Sequence, residues 1–385
     1  MKVILKISDI KFLLLSVAFF FLGMHLVYFA AFFFLITADR LLFSLTTARF
    51  RIKEYFGVLI CILYLCVTYI VGHDNMHIDR SYLPLILLVL TIVIFYILIP
   101  KNEKESFFFI QAYILGMLFK SGITVIYSIL VGGESYGYGM LLDPFSDTVV
   151  NSPAYVALTS ISFAYFYTNI FSEQTNLSKK LNVLFSILSL LIATYLGGRS
   201  FFVIAVLTIF LNMLAYKQSR SGISILLIFV MGIITIISYL FSELIRDKVN
   251  FIFLRFTNSG LESPRFLLWR DALNKIPDFP FGDFSVNTSI EFTYWYHNLW
   301  FDTARLGGWI ALFLLIIINI YFIFHYKLLK TNGILKQLTI IQLVTLLVMS
   351  QEVILEGVLE VIGVYIMSGL LLVRLLYWHH DGVNK

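Results

Sequence analysis

Arg199 stands in Leu196-Gly197-Gly198-Arg199-Ser200, a junction that joins two apolar runs with almost no intervening chain. A guanidinium at such a boundary is costly unless it faces a polar cavity, which makes Arg199 a candidate ligand-binding residue. The two glycines beside it let backbone approach a neighbour closely. Arg265, Arg270 and Arg305 follow in one long polar segment. A planar guanidinium forks onto phosphate with two parallel hydrogen bonds and keeps its charge. These arginines therefore suggest diphosphate contacts; the competing reading pairs them with acids of their own segment or with lipid headgroups. His297 opens the stretch that runs through Asn298, Phe301 and Asp302 to Arg305. Read as a helix, it puts Asn298, Asp302 and Arg305 on one face and His297 with Phe301 on the next. An imidazole at an interface can accept a proton at neutral pH when a carboxylate or amide orients it. Equally, it can anchor a helix end. Tyr294, Trp295 and Tyr296 immediately before it read as a headgroup belt or as stacking surfaces for sugar rings.

Other clusters carry less. Gly133-Glu134-Ser135-Tyr136-Gly137 matches a nucleophile elbow but lacks the strand and helix that such a motif needs. His73, Asp74, His77 and Asp79 have metal-like spacing in a short loop with no further ligand in reach of sequence, so no metal and no cofactor is expected. Glu352, Glu356 and Glu360, spaced i, i+4, i+8, read as one acidic stripe whose simplest role is pairing. Lys120, alone within an apolar run, is either a functional group or a snorkelling one.

What positions these residues is a membrane bundle. The 385 residues are 59% hydrophobic and only 13% charged, with 38 Phe, 22 Tyr and 7 Pro. That balance excludes a soluble enzyme, a disordered chain and a secreted disulfide scaffold. Cys61 and Cys66 lie inside an apolar run and read as packing residues. The net charge of +5 is too small to imply nucleic acid. Apolar runs predict spans at 55–71, 82–99, 107–131, 153–171, 181–196, 200–216, 223–241, 306–325, 337–350 and 360–376. Residues 12–45 make two more if charge placement decides. Twelve spans put 13 Lys and 5 Arg on the cytoplasmic side with both termini, and leave short outer loops holding only Arg80 and Arg199. No cleavable signal peptide is evident. Outside, Arg outnumbers Lys by 7 to 2 once the long loop at 242–305 is counted. That loop also holds eight acids, so it is no basic patch in bulk. Ser263-Pro264 predicts a helix start within it, running to about Ile276, with Leu268, Ala272, Leu273 and Ile276 on an apolar side. The expectation is a single membrane-embedded, all-α polytopic domain over 1–385, with 242–305 as one large periplasmic loop.

Three local motifs, in order, resemble those of the O-antigen polymerase (Wzy-type) and O-antigen ligase superfamily of bacterial membrane glycosyltransferases. Gly197-Gly198-Arg199-Ser200 is similar to its Gly/Ser-Arg-Ser/Thr signature. Arg265 to Leu273, with Trp269 and Ala272 and then Pro280-Phe281-Gly282, resembles its Arg-x3-Trp-x2-Ala-Leu…Pro-x-Gly stretch. His297-Asn298 followed by Gly307-Gly308 resembles its His-Asn…Gly entry to the next span. The resemblance implies a fold of the glycosyltransferase C type and an active site at the periplasmic face of a bacterial inner membrane. Donor and acceptor would be oligosaccharide repeat units on undecaprenyl diphosphate, joined by inverting, metal-independent transfer, with a chain-length regulator as a possible partner beside membrane lipids. Arg199 and Arg265 would hold the donor diphosphate, Arg270 and Arg305 would be second-line contacts, and His297 would be the base. A ligase acting on lipid A core shares this chemistry. A lipid-linked oligosaccharide flippase also suits twelve spans, but the chain shows no repeated halves.

Overall fold

The computed structural model describes residues 7–47, 52–76, 82–99, 103–132, 140–145, 148–172, 177–216, 246, 250, 254, 264–291, 293–326 and 333–382. The span read at 223–241, the stretch at 133–137, and His77, Asp79, Arg80, Lys248, Arg255 and Ser263 lie outside them. The helices are α1 (Ile7–Gly23), α2 (Val27–Ile36), α3 (Ala38–Thr47), α4 (Ile52–Gly72), α5 (Leu83–Leu98), α6 (Glu103–Gly132), α7 (Ser152–Phe171), α8 (Lys179–Leu196), α9 (Arg199–Ala215), α10 (Pro264–Lys275), α11 (Leu299–Ile323), α12 (Gly333–Met349) and α13 (Leu359–Gly382). Helices α4, α6, α8, α11 and α13 are each long and apolar enough to cross a membrane. α2 and α3, bent by 65°, make a sixth if the pair is one span. The chain is a polytopic, predominantly helical membrane protein.

Side chains are sorted as a lipid solvent demands. Leu59, Ile70, Val206, Phe210, Phe313 and Ile320 stand on the outside of the bundle. In water, so large an apolar surface would drive aggregation. α7 sits at the centre and is buried on every side except near its start. Lipid gives helices little hydrophobic reason to associate, so close packing and internal polar groups must hold them. α7 meets that need with small hydroxyl residues: Thr159, Ser160 and Ser162 each donate to the carbonyl four residues earlier. Near its end Thr168 accepts from Asn212 of α9 at 3.0 Å, and Asn169 donates to Asn182 of α8 at 3.4 Å.

A small β-hairpin departs from the all-α expectation. β1 (Met140–Asp143) pairs antiparallel with β2 (Thr148–Asn151) between α6 and α7. Ser128 of α6 clasps it, accepting from the Leu142 amide at 2.9 Å. At the turn the Asp143 carboxylate accepts from the Phe145 amide.

Charges mark two ends. At one, Lys11 pairs with Asp39, Arg40 donates to Glu105 at 2.7 Å, and Lys336 donates to the Ala215 carbonyl at 2.9 Å. The other end collects the α8–α9 turn, α10, the start of α11 and the segment between α12 and α13. The candidate site is there.

Candidate functional site

The α8–α9 junction is built by its two glycines. Gly197 closes α8 at φ 68°, in the left-handed region that a side chain disfavours. Gly198 lies so close to α7 that a Cβ would come within 2.5 Å of Val156. The close approach anticipated from the sequence is therefore to another helix. It leaves Arg199, half-buried, as the first residue of α9, with Ser200 beside it. Ser200 donates to Glu352 Oε1 at 3.2 Å.

Glu352 brings the second motif to the first. Arg265, on the first turn of α10, lies 3.7 Å from Glu352 Oε2 and also donates to the Gln351 carbonyl. The Glu352 side chain is 4% exposed and that of Arg265 is 27% exposed, so the pair presents its cation outward from a sequestered acid. Burial raises the Glu352 pKa above the ordinary carboxylate value, while Arg265 and Ser200 act in the opposite sense. α10 is anchored by Leu268 and Ala272, both fully buried, and by the Trp269 indole, which donates to the Tyr296 carbonyl at 2.9 Å. Leu273, placed on the apolar side by sequence, is exposed, because four-residue spacing aligns Leu268 with Ala272 instead. Arg270 is exposed and lies outside the cluster.

The third motif brings His297. The helix starts at Leu299, so Asn298 caps it, accepting from the Trp300 amide at 3.0 Å. Of the helical face expected of Asn298, Asp302 and Arg305, the last two share it, 3.6 Å apart, while the Asn298 side chain serves the cap instead. Asp302 reaches back, accepting from the amides of Tyr296 at 2.9 Å and Asn298 at 3.3 Å. These amides flank His297, whose φ of 52° is left-handed. Asn298 also donates to the Ser350 carbonyl at 3.0 Å, tying the turn to the α12–α13 segment. A carboxylate and an amide thus place the imidazole through the backbone. The ring is nearly buried; Nε2 lies 3.4 Å from the Thr293 hydroxyl, and Nδ1 has no partner among the described residues. Burial, helped by the charge of Arg265, pushes its pKa down to about 3. The ring is neutral in its resting environment and keeps a lone pair.

The Pro-x-Gly and Gly-Gly elements are two halves of one joint. Gly308 bends α11 at φ 64°, and its Cβ position lies 2.2 Å from the Pro280 carbonyl oxygen. Trp309 N donates to that carbonyl, and the Asp283 amide donates to the Arg305 carbonyl at 2.8 Å.

Other candidates are placed differently. Arg305 is 2% exposed, held between Asp302 at 3.6 Å and Glu356. It is a strut between α11 and the α12–α13 segment, and an anion could reach it only by displacing two carboxylates. Tyr296 is fully buried; its ring packs near Phe284 and Phe301, and its hydroxyl donates to Asp271 at 3.0 Å. That leaves no face of Tyr296 for a sugar. Tyr294 is exposed, with Trp295 edge-on beside it. The three glutamates do not form a stripe, because residues 350–358 are not helical. They diverge to different cations: Glu352 to Arg265, Glu356 to Arg305 and Glu360 to Lys120. His73 lies 3.3 Å from Asp74 and stacks on Tyr82. Among the described residues no group of three His, Cys, Asp or Glu could hold a metal.

The arrangement offers an accessible guanidinium over a buried acid, a second arginine one residue from that acid's serine, and a neutral imidazole. It can take an anionic group and receive a proton. No protein-family model matches the sequence, and no curated protein matches it.

Proposed function

We propose that the protein is a surface-polysaccharide (O-antigen) polymerase, joining undecaprenyl-diphosphate-linked repeat units at the periplasmic face of a bacterial inner membrane. The observation that carries this reading is the meeting of three motifs, separated by up to about a hundred residues, around the segment Ser350-Gln351-Glu352. Twelve spans, both termini in the cytoplasm and a large periplasmic loop at 242–305 complete the arrangement. The Lys-bearing end with Lys11 and Lys336 is then cytoplasmic.

In the reaction, the acceptor hydroxyl oxygen attacks the anomeric carbon as the bond to the diphosphate oxygen breaks. The hydroxyl proton passes to His297, and undecaprenyl diphosphate leaves with the electron pair. Arg265 and Arg199 hold the diphosphate and stabilise the charge that develops on it. Arrival of that anion offsets the charge of Arg265, raising the basicity of His297 when a proton must be taken. Glu352 is a positioning residue that holds Arg265 against the Ser200 end of α9.

The test supplies purified protein with a short lipid-linked repeat unit and follows product ladders on gels. Wild type makes ladders, and Arg199→Ala, Arg265→Ala and His297→Ala slow them by roughly 10²–10³-fold, the usual loss for removing one charge-stabilising or proton-transferring group. Normal ladders from these variants would overturn the site. Transfer of finished polymer to lipid A core without ladders would make the protein a ligase.

A further inference from the structure

The same end of the bundle holds a second polar centre that glycosyl transfer at His297 leaves unused. The chain reverses between α1 and α2 at His25, whose φ of 62° is again left-handed. Such a conformation is disfavoured for a residue with a side chain and persists only where contacts enforce it. His25 Nδ1 lies 3.1 Å from Glu360 Oε1, and Lys120 Nζ lies 3.2 Å from the same oxygen. Glu360 is buried at the first turn of α13. Lys120 comes from the interior of α6 and lies 5.9 Å from the Tyr155 ring. A carboxylate on Nδ1 fixes the tautomer: in the neutral ring Nδ1 donates and Nε2 becomes the acceptor. The imidazole is about half exposed and makes no other hydrogen bond among the described residues.

That ring and Glu360 sit at the edge of a small cleft, open on one side. Its other walls are mostly apolar, from Leu22, Val27, Pro84, Leu87, Leu88 and Leu359, with Thr91 and Tyr113 among them. The charges decide what it can take. Glu360 is shared by Lys120 and His25, and Asp143 also acts on Lys120. A phosphate would meet the Glu360 carboxylate and would have to compete with these acids for Lys120. A neutral hydroxyl can donate to Nε2 and displaces nothing.

We propose that this cleft binds the hydroxyl-bearing head of a neutral amphipathic molecule, with His25 Nε2 accepting its hydrogen bond and the apolar walls of α1, α2 and α5 taking its chain. The site is separate from the arginine cluster and does not depend on glycosyl transfer there. Isoprenoid alcohols and alkyl glycosides share this chemistry.

The test places the full-length protein in phosphatidylcholine nanodiscs. Photoactivatable farnesol, an alkyl β-glucoside and farnesyl phosphate are added separately, and labelled peptides are mapped by mass spectrometry. Farnesol or the glucoside labels the peptides containing His25 and Leu87, and whichever labels more strongly names the source. Farnesyl phosphate labels them roughly tenfold less. His25→Phe weakens labelling by roughly five- to tenfold, the worth of one hydrogen bond. Leu87→Trp and Val27→Trp, at half-buried wall positions, abolish it; either variant suffices if it runs as a monodisperse species. Labelling unchanged in a folded wall variant, equal labelling by the phosphate, or none by either neutral probe would overturn the proposal. Because labelling is read without turnover, a failed ladder assay leaves this result standing.

Discussion

His297 is held neutral by burial and by Arg265, and this has a consequence for stability as well as for catalysis. Its folded pKa of about 3 lies below the roughly 6.5 of an unfolded histidine. Above 6.5 neither state binds the proton and the histidine adds no pH dependence. Between 6.5 and 3 the unfolded chain binds a proton that the fold refuses, so stability falls as pH falls. The loss builds to a few kcal/mol at most, since a tenfold change in proton affinity is worth about 1.4 kcal/mol. Thermal melting in detergent between pH 7 and 4.5 should show this slope, and His297→Gln should flatten it. Glu352 gives a second expectation at this scale. Glu352→Gln keeps the shape but removes the charge that faces Arg265, and the guanidinium loses its fixed direction. Polymerisation should fall by roughly 10- to 100-fold, an effect of about 1.4–2.7 kcal/mol. Arg265→Lys should not preserve the wild-type rate, because an ammonium has no fork with which to meet both Gln351 and Glu352. Arginine at each position was readable from type and boundary alone. The acid that unites them was legible only as one of three glutamates at helical spacing, because nothing local announces that the helix stops at Met349.

Among the elements, the joint between the 280–282 turn and the bend in α11 carries the most structural consequence. At Gly308 a Cβ would both meet the Pro280 carbonyl and require a left-handed backbone. Gly308→Ala should therefore lower stability by at least about 2–3 kcal/mol, combining strain with a steric shift. Gly333→Ala, where the nearest atom to an added Cβ is 3.6 Å away, should be nearly neutral. Melting temperatures of the two variants, compared directly, check this. Both glycine motifs and their order are readable along the chain, but their contact is not, since a glycine's reason lies in what approaches it. The same limit explains the His297 segment. Asn298 is a good cap by type, yet reading the stretch as continuous helix from His297 put Asn298 on the face that Asp302 and Arg305 share, where the capped turn directs its side chain elsewhere. The β-hairpin was missed because only four residues of each strand pair and the clasp on it comes from Ser128, in α6. Most helix positions were visible, since apolar length is a local property that lipid enforces on each span separately.

At the scale of the whole molecule, the distribution of charge between two ends is the feature that the proposed activity most depends on. Lys11, Arg40 and Lys336 belong to one end, and Arg199, Arg265 and His297 to the other. If positive charge orients the bundle, the first end is cytoplasmic and every motif of the site faces the periplasm. Two exposed aromatics make the test direct. Phe281, in the turn beside Gly282, is 76% exposed, and Phe324, beyond the end of α11, is 78% exposed. The turn that holds Phe281 meets α11 at the Gly308 bend, and the helix from there to Ile323 separates it from Phe324. Native Cys61 is buried and Cys66 partly so, which keeps background labelling low. In cells whose outer membrane is made permeable, a membrane-impermeant maleimide should modify Phe281→Cys and spare Phe324→Cys until the inner membrane is opened. The reverse pattern would put the arginine cluster in the cytoplasm, where glycosyl transfer to a periplasmic polymer is impossible. Labelling of both from outside would mean that α11 does not cross at all.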